Sequence, residues 1–221
     1  MTDAPDDRPY ATPSTRLAPL AAVVVAVAAQ LLMRDRIVLG PLLLVPIIEI
    51  ALVLVLVVGD GLLGMRRRHA GLVRYALALV ITISATSSAA LMIADVIDVR
   101  PVSVQQLLAE GAQILVVLAV GFALLFWQLD RGGPDGRALP DVELFSFWFT
   151  QDAIREYSDQ FDHWQPRFLD YLYVAITNLV AFSPTDTMPL TRTAKMLMAW
   201  QSTVALATFA VVLARAVNIL A

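Results

Sequence analysis

The chain contains no cysteine, which excludes a disulfide framework, thiolate chemistry and a zinc site of the usual kind. Imidazole is almost as scarce. His69 and His163 are the only histidines, and they lie too far apart to form a ligand pair at helical spacing. Lys195 is the only lysine, and charged residues make up only 16% of the chain. The net charge of −3, with no basic face and no repeated aromatic platform, excludes nucleic acid as the expected partner. There is no GxSxG, no P-loop and no pair of carboxylates at a usable spacing, so no enzymatic activity, cofactor or metal is expected. Hydrophobic residues, in contrast, make up 58% of 221. That balance predicts an all-α polytopic membrane protein whose first partner is the lipid bilayer.

Residues 1–16 are polar, proline-bearing and acidic at Asp3, Asp6 and Asp7, the composition of a disordered tail. Three transmembrane helices are expected in 17–98. The first runs from Leu17 to Met33; its AVAAQ also permits a signal-peptide reading, but the apolar run continues beyond that stretch, which favours a retained span. The second runs from Ile37 to Val58, with Pro41 and Pro46 in its first half and Glu49 near its middle. A charged carboxylate in hydrocarbon costs several kcal/mol, so Glu49 must be neutral, paired, or turned toward polar groups or water. We read it first as an acid hydrogen-bonded to the next span, and alternatively as a proton or cation site. The third span, Leu72 to Val96, carries Thr82, Ser84, Thr86, Ser87 and Ser88, small hydroxyl residues that let helices approach closely.

The remainder, 99–221, reads as one module. An outer helix over 106–129 has Trp127 as an interfacial anchor. A long acidic loop over 130–167 is rich in aromatics, and its stretch LFSFWFTQDAIREYSDQFDHW is expected to form helical segments lying on the membrane interface. Most of the chain's aromatics fall between Phe122 and Phe182, as a collar around the following segment or as separate interfacial anchors.

That segment is the most informative in the chain. Phe168 to Phe182 is an apolar helical run too short to cross about 30 Å of hydrocarbon comfortably at about 1.5 Å per residue. Ser183-Pro184-Thr185-Asp186 then breaks the helix, because Pro184 removes a donor and the neighbouring oxygens cap free N–H groups. An inner helix is expected from Pro189 to Leu220. Short helix, polar break and long helix outline a re-entrant loop, which survives in a bilayer only where protein or water covers its backbone.

Laid over the pore module of potassium channels, this segment resembles it: pore helix, filter, proline and inner helix. Thr177 and Asn178 fall late in the pore helix as supports for the loop. Ala181, Phe182, Ser183, Pro184, Thr185 and Asp186 fall on the filter, and Pro189 and Thr191 open the inner helix. The aspartate and proline are kept. Both filter glycines are replaced, by Ser183 and Thr185, and the tyrosine by Pro184. A potassium filter aims successive backbone carbonyls at the ion and depends on glycine's freedom, so the resemblance does not carry potassium selectivity. The chain also resembles a bacterial family of small integral membrane proteins of uncharacterised function, through Trp164, Phe168, Asp186 and Asn218. These resemblances imply a multi-pass protein of the bacterial inner (plasma) membrane with five transmembrane helices plus a short re-entrant, or sixth, helix.

If the amino terminus is cytoplasmic, Arg66, Arg67, Arg68 and Arg74 lie inside, as do Arg131, Arg137, Arg155 and Arg167, in agreement with the positive-inside rule. The loop then dips from the cytoplasm, opposite to potassium channels. An inverted pore loop, a full crossing by 168–182 and a broken charge rule all remain open. Functionally, the resemblance implies a homo-oligomer, a tetramer if channel-like, in which Ser183, Thr185 and Asp186 surround an axis and pass monovalent cations with weak selectivity. Gln201, Ser202 and Thr203 would line the conduit. The alternatives are a non-conducting assembly protein and a small-solute or proton-coupled carrier using Glu49.

Overall fold

A computed structural model describes residues 13–33, 41, 43–61, 67–97, 103–130, 137, 145–155, 157–158, 161, 164–180 and 187–220. The helices are α1 (Pro13–Leu31), α2 (Leu44–Gly61), α3 (Arg67–Ile97), α4 (Val104–Leu129), α5 (Thr150–Ile154), α6 (Phe168–Leu179) and α7 (Arg192–Leu220); two short strands are β1 (Phe147–Phe149) and β2 (Thr187–Pro189). Among the described residues three helices, α3, α4 and α7, are long and apolar enough to cross a membrane, while α1, α2 and α6 contain shorter apolar stretches.

The central element is α4. It packs against α1, α3, α6 and α7, and every residue from Val117 to Phe126 is buried. An all-round apolar helix of this kind is stable only where neighbours surround it. Its start is fixed locally by Ser103, whose hydroxyl accepts from the Gln106 N–H at 3.3 Å while the Gln106 side chain accepts from the Ser103 N–H at 3.4 Å. Two glycines let the neighbours close in. A Cβ on Gly121 would stand 2.7 Å from Thr82 Oγ1 and 3.1 Å from the α3 backbone, and one on Gly111 would stand 3.0 Å from Val212 Cγ2. Among the described residues α2 packs mainly against α3, with a smaller contact to α1.

The run of contacts along α4 gives α7 its direction. Near the C-terminal end of α4, Phe122 meets Trp200 early in α7 with ring centroids 6.3 Å apart, and Gly111 near its start meets Val212 late in α7. The two helices are therefore antiparallel, and α7 starts at the end where α4 finishes.

Several boundaries differ from the sequence reading, each for a visible reason. The second helix begins at Leu44 and not at Ile37, which puts Pro46 in the first turn, where its missing N–H is harmless. The short apolar helix stops at Leu179. The long last helix does not begin at Pro189: Thr187–Pro189 pairs antiparallel with Phe147–Phe149, and the helix starts at Arg192 with the Thr191 hydroxyl accepting from the Ala194 N–H at 3.2 Å. The fold is mostly helical, consistent with the all-α expectation, and β1 and β2 add one two-stranded ladder. Of the loop expected to be helical along the interface, Phe147–Phe149 is extended and Thr150–Ile154 is a short helix. The expected tail over 1–16 lies outside the described residues up to Thr12, and α1 already covers its last positions.

Candidate functional site

At the C-terminal end of α4 the apolar run stops at Asp130, whose side chain is fully buried. A carboxylate so placed needs partners on both oxygens, and it has them. Oδ1 accepts from the Ser146 N–H at 2.7 Å. Oδ2 accepts from Arg137 Nη1 at 2.7 Å and from the Tyr171 hydroxyl at 2.6 Å. Arg137 is itself buried; it also donates to the Phe147 carbonyl at 3.2 Å and, through Nη2, to Asp152 Oδ2 at 2.9 Å. Its guanidinium lies 4.0 Å from the Phe145 ring centroid, a cation–π contact. Asp152 also accepts from the Phe149 N–H at 3.1 Å, closing the first turn of α5. Burial alone would lower the Arg137 pKa, but Asp130, Tyr171 and Asp152 outweigh that and hold the guanidinium above its ordinary range.

A chain of rings extends this anchor. Phe126 meets Phe147 at 5.1 Å between centroids, Phe147 meets Tyr171 at 6.2 Å, Tyr171 meets Phe149 at 5.4 Å, and Phe149 meets Trp164 at 5.6 Å. The inward rings of the strand are core and not separate interfacial anchors. Trp127, expected at the interface, packs edge-on against Phe168 at 5.6 Å, and its indole N–H is buried with no hydrogen-bond partner among the described residues.

The route of the chain between α4 and α7 follows from these contacts. α6 starts beside Trp127 and Asp130. Asp170 secures its first turn by accepting from the Arg167 N–H at 2.6 Å. The chain is back at the same place by β2, where Pro189 pairs with Phe147, and the Leu190 N–H donates to the Ser146 carbonyl at 2.9 Å. Departure and return thus share one end of α4.

Deeper in, α6 is fastened to α7 by side-chain amides. Asn178 Nδ2 donates to the Met198 carbonyl and to Gln201 Oε1, both at 2.9 Å. Gln201 Nε2 donates to the Ala175 carbonyl at 2.8 Å, and the Ser202 hydroxyl donates to Asn178 Oδ1 at 3.0 Å. Among the described residues the partners of the Asn178 side chain lie on α7. Thr177 turns back on its own helix, its hydroxyl donating to the Tyr173 carbonyl at 2.9 Å. Gln201 is buried in the α6 contact and Ser202 is engaged there, so neither is free to line a conduit. Thr203 is exposed, with its hydroxyl on the Ala199 carbonyl at 2.8 Å.

The residues placed on the filter, Ala181, Phe182, Ser183, Pro184, Thr185 and Asp186, lie outside the described residues. Glu49 is fully buried, as its position in an apolar span requires, but its partner is not on the next span. Gln30, on the preceding helix, donates to Glu49 Oε1 at 2.8 Å. The anchor of Asp130, Arg137, Asp152 and Tyr171 was not read from the sequence. A signal for part of it exists in Phe145-Ser146-Phe147-Trp148-Phe149, whose run of β-favouring aromatics suits a strand. Among the described residues no group of three or more His, Cys, Asp or Glu side chains could hold a metal ion. The anchor is a saturated ion-pair cluster, suited to holding the α6 segment in place and not to acid–base chemistry. Compared with family models, curated proteins and solved structures, the chain matches none.

Proposed function

We propose that this is a multi-pass protein of the bacterial inner membrane, amino terminus cytoplasmic, whose α4–α6–α7 unit acts as a pore-loop module of the potassium-channel type with its potassium filter lost. Five helices, α1 to α4 and α7, cross the bilayer, and α6 dips in and returns. The observation that carries this reading is the shared end. A full crossing by α6 would deliver α7 to the far end of α4, running parallel to it, whereas α7 is antiparallel to α4 and begins beside Asp130.

A dipping segment cannot show irregular backbone to lipid, so protein must cover residues 181–186. The outer face of α6 presents Leu169, Tyr173, Ile176 and Val180, one per turn and all exposed, and α7 is exposed along most of its length. A homo-oligomer, with four copies in the channel-like case, covers both and brings Ser183, Thr185 and Asp186 to its axis. Hydroxyls with a ring of carboxylates favour monovalent cations without fine size discrimination.

The internal use of Asn178, Gln201 and Ser202 favours a second reading, a non-conducting module kept for assembly. Liposome flux separates the two. A pore predicts a cation leak reduced by Asp186→Asn and by Thr185→Val in a tetramer that still forms. An unchanged leak in both variants removes these positions as a filter. Absence of any leak from a sealed oligomer supports the assembly reading.

A further inference from the structure

α1, α2 and α3 each send one polar side chain to a common point. Gln30, Glu49 and Ser84 are all buried. Gln30 Nε2 donates to Glu49 Oε1 at 2.8 Å, and the Ser84 hydroxyl donates to Gln30 Oε1 at 3.4 Å. The second carboxyl oxygen, Oε2, is buried and has no hydrogen-bond partner among the described residues. On α2 the flanking Ile47, Ile48 and Ile50 are exposed, so the helix turns apolar side chains outward and its one acid inward.

The three residues fall within the apolar stretches of their helices. Ser84 sits midway between Arg74 and Asp95 on α3, roughly 15 Å along the helix from either. Those are the only charged residues on α3 between His69 and Val96. α1 carries none from Leu17 to Met33, and α2 carries none but Glu49 from Leu43 to Gly59. Arg34, Asp35 and Arg36, between α1 and α2, lie outside the described residues.

We propose that Glu49 is an intramembrane proton-binding site, with Gln30 as the group that orients its carboxyl and Ser84 as the group that orients Gln30. The reaction is simple: the carboxylate takes a proton from water to become the acid and returns it in the reverse step. With the proton absent, a buried charge would be left with one neutral hydrogen bond, a costly arrangement. Among the described residues α2 packs mainly against α3, with a smaller contact to α1, and in this proposal it is the helix that shifts to let the charge reach water. Proton occupancy of Glu49 then sets how firmly α2 docks. This site stands independently of the pore-loop reading.

A hydrophobic carbodiimide tests it on the wild-type full chain in liposomes. The reagent adds to a protonated carboxyl in apolar surroundings: the acid's oxygen bonds to the central carbon, its proton passes to nitrogen, and the product rearranges to a stable N-acylurea with nothing lost. Treatment with dicyclohexylcarbodiimide followed by peptide mapping should place one adduct on Glu49. The labelling rate should fall at least tenfold from mildly acid to mildly alkaline medium, and Gln30→Leu should change it several-fold. Glu49→Gln should abolish the adduct and, in infrared difference spectra, a carbonyl band that wild type loses as the medium becomes alkaline. Adducts confined to other acids, or Glu49 labelling that does not vary with pH, would overturn the proposal. The mapping uses the wild-type chain, so it does not depend on any variant folding.

Discussion

The Tyr171 hydroxyl donates to Asp130 Oδ2 at 2.6 Å across 41 residues of sequence, tying the first turn of α6 to the last turn of α4. The bond reaches a buried carboxylate that also holds Arg137 and the start of β1. The position of α6 therefore depends on side chains that lie outside it. Tyr171→Phe keeps the ring contacts with Phe147 and Phe149 and removes only the donor, so it should cost about 1.5–3 kcal/mol, read as a lowered midpoint of thermal unfolding in detergent.

Arg137→Met should cost more, about 3–5 kcal/mol, because it leaves the buried carboxylate of Asp130 and the partly buried one of Asp152 without their cation. Combining it with Asp130→Asn should recover part of that loss, since the main uncompensated charge is then gone. A double variant less stable than Arg137→Met alone would contradict this account. The guanidinium is held above its ordinary range, so its contribution is fully present below that range and is lost only as pH climbs through the raised value. Mildly alkaline buffer should therefore not loosen the anchor through this group.

The amide contacts between α6 and α7 should behave as one unit. Asn178→Ala leaves Gln201 Oε1 and the Ser202 hydroxyl without that partner and should cost about 1–2 kcal/mol. Gln201→Ala should cost a similar amount, and the two effects should fail to add, with a coupling of at least about 0.5 kcal/mol in a double-mutant cycle. Additive losses would mean the contacts act separately.

Three glycines make a graded test of the packing. Gly121→Ala drives a methyl group against Thr82 and the α3 backbone and should cost about 1–3 kcal/mol. Gly111→Ala meets only the Val212 side chain, which can turn, and should cost less. Gly71→Ala meets nothing within 4 Å and should be neutral or stabilising by up to about 1 kcal/mol through helix propensity. Thermal unfolding of the three variants should give that order.

Much of the helical layout was legible because apolar runs bounded by Pro, Gly and charge are strong local signals. The apolar blocks behind α3, α4, α6 and α7 and the isolation of Glu49 were readable in this way. What the sequence hid were relationships between distant residues. Nothing local says that Arg137 folds onto Asp130 and Asp152, or that Gln30 and not a residue of α3 meets Glu49. The aromatic run from Phe145 to Phe149 suits a strand, but the helical look of TQDAIREY just after it drew the whole stretch into a helical reading. Pro189 looked like the first residue of a helix, and pairing with Phe147 decided otherwise. Tertiary context chose between two roles that proline's fixed backbone angle permits equally.

The central claim is that the chain enters and leaves the α6 segment on one side of the membrane, and the absence of native cysteine makes it directly measurable. Tyr157, Met188 and Ser103 are all exposed, and each can be replaced singly by cysteine and probed with a membrane-impermeant maleimide in oriented vesicles. The account predicts that Tyr157→Cys and Met188→Cys react from one side and Ser103→Cys from the other. Met188→Cys reacting from the same side as Ser103→Cys, opposite to Tyr157→Cys, would make α6 a full crossing and contradict it.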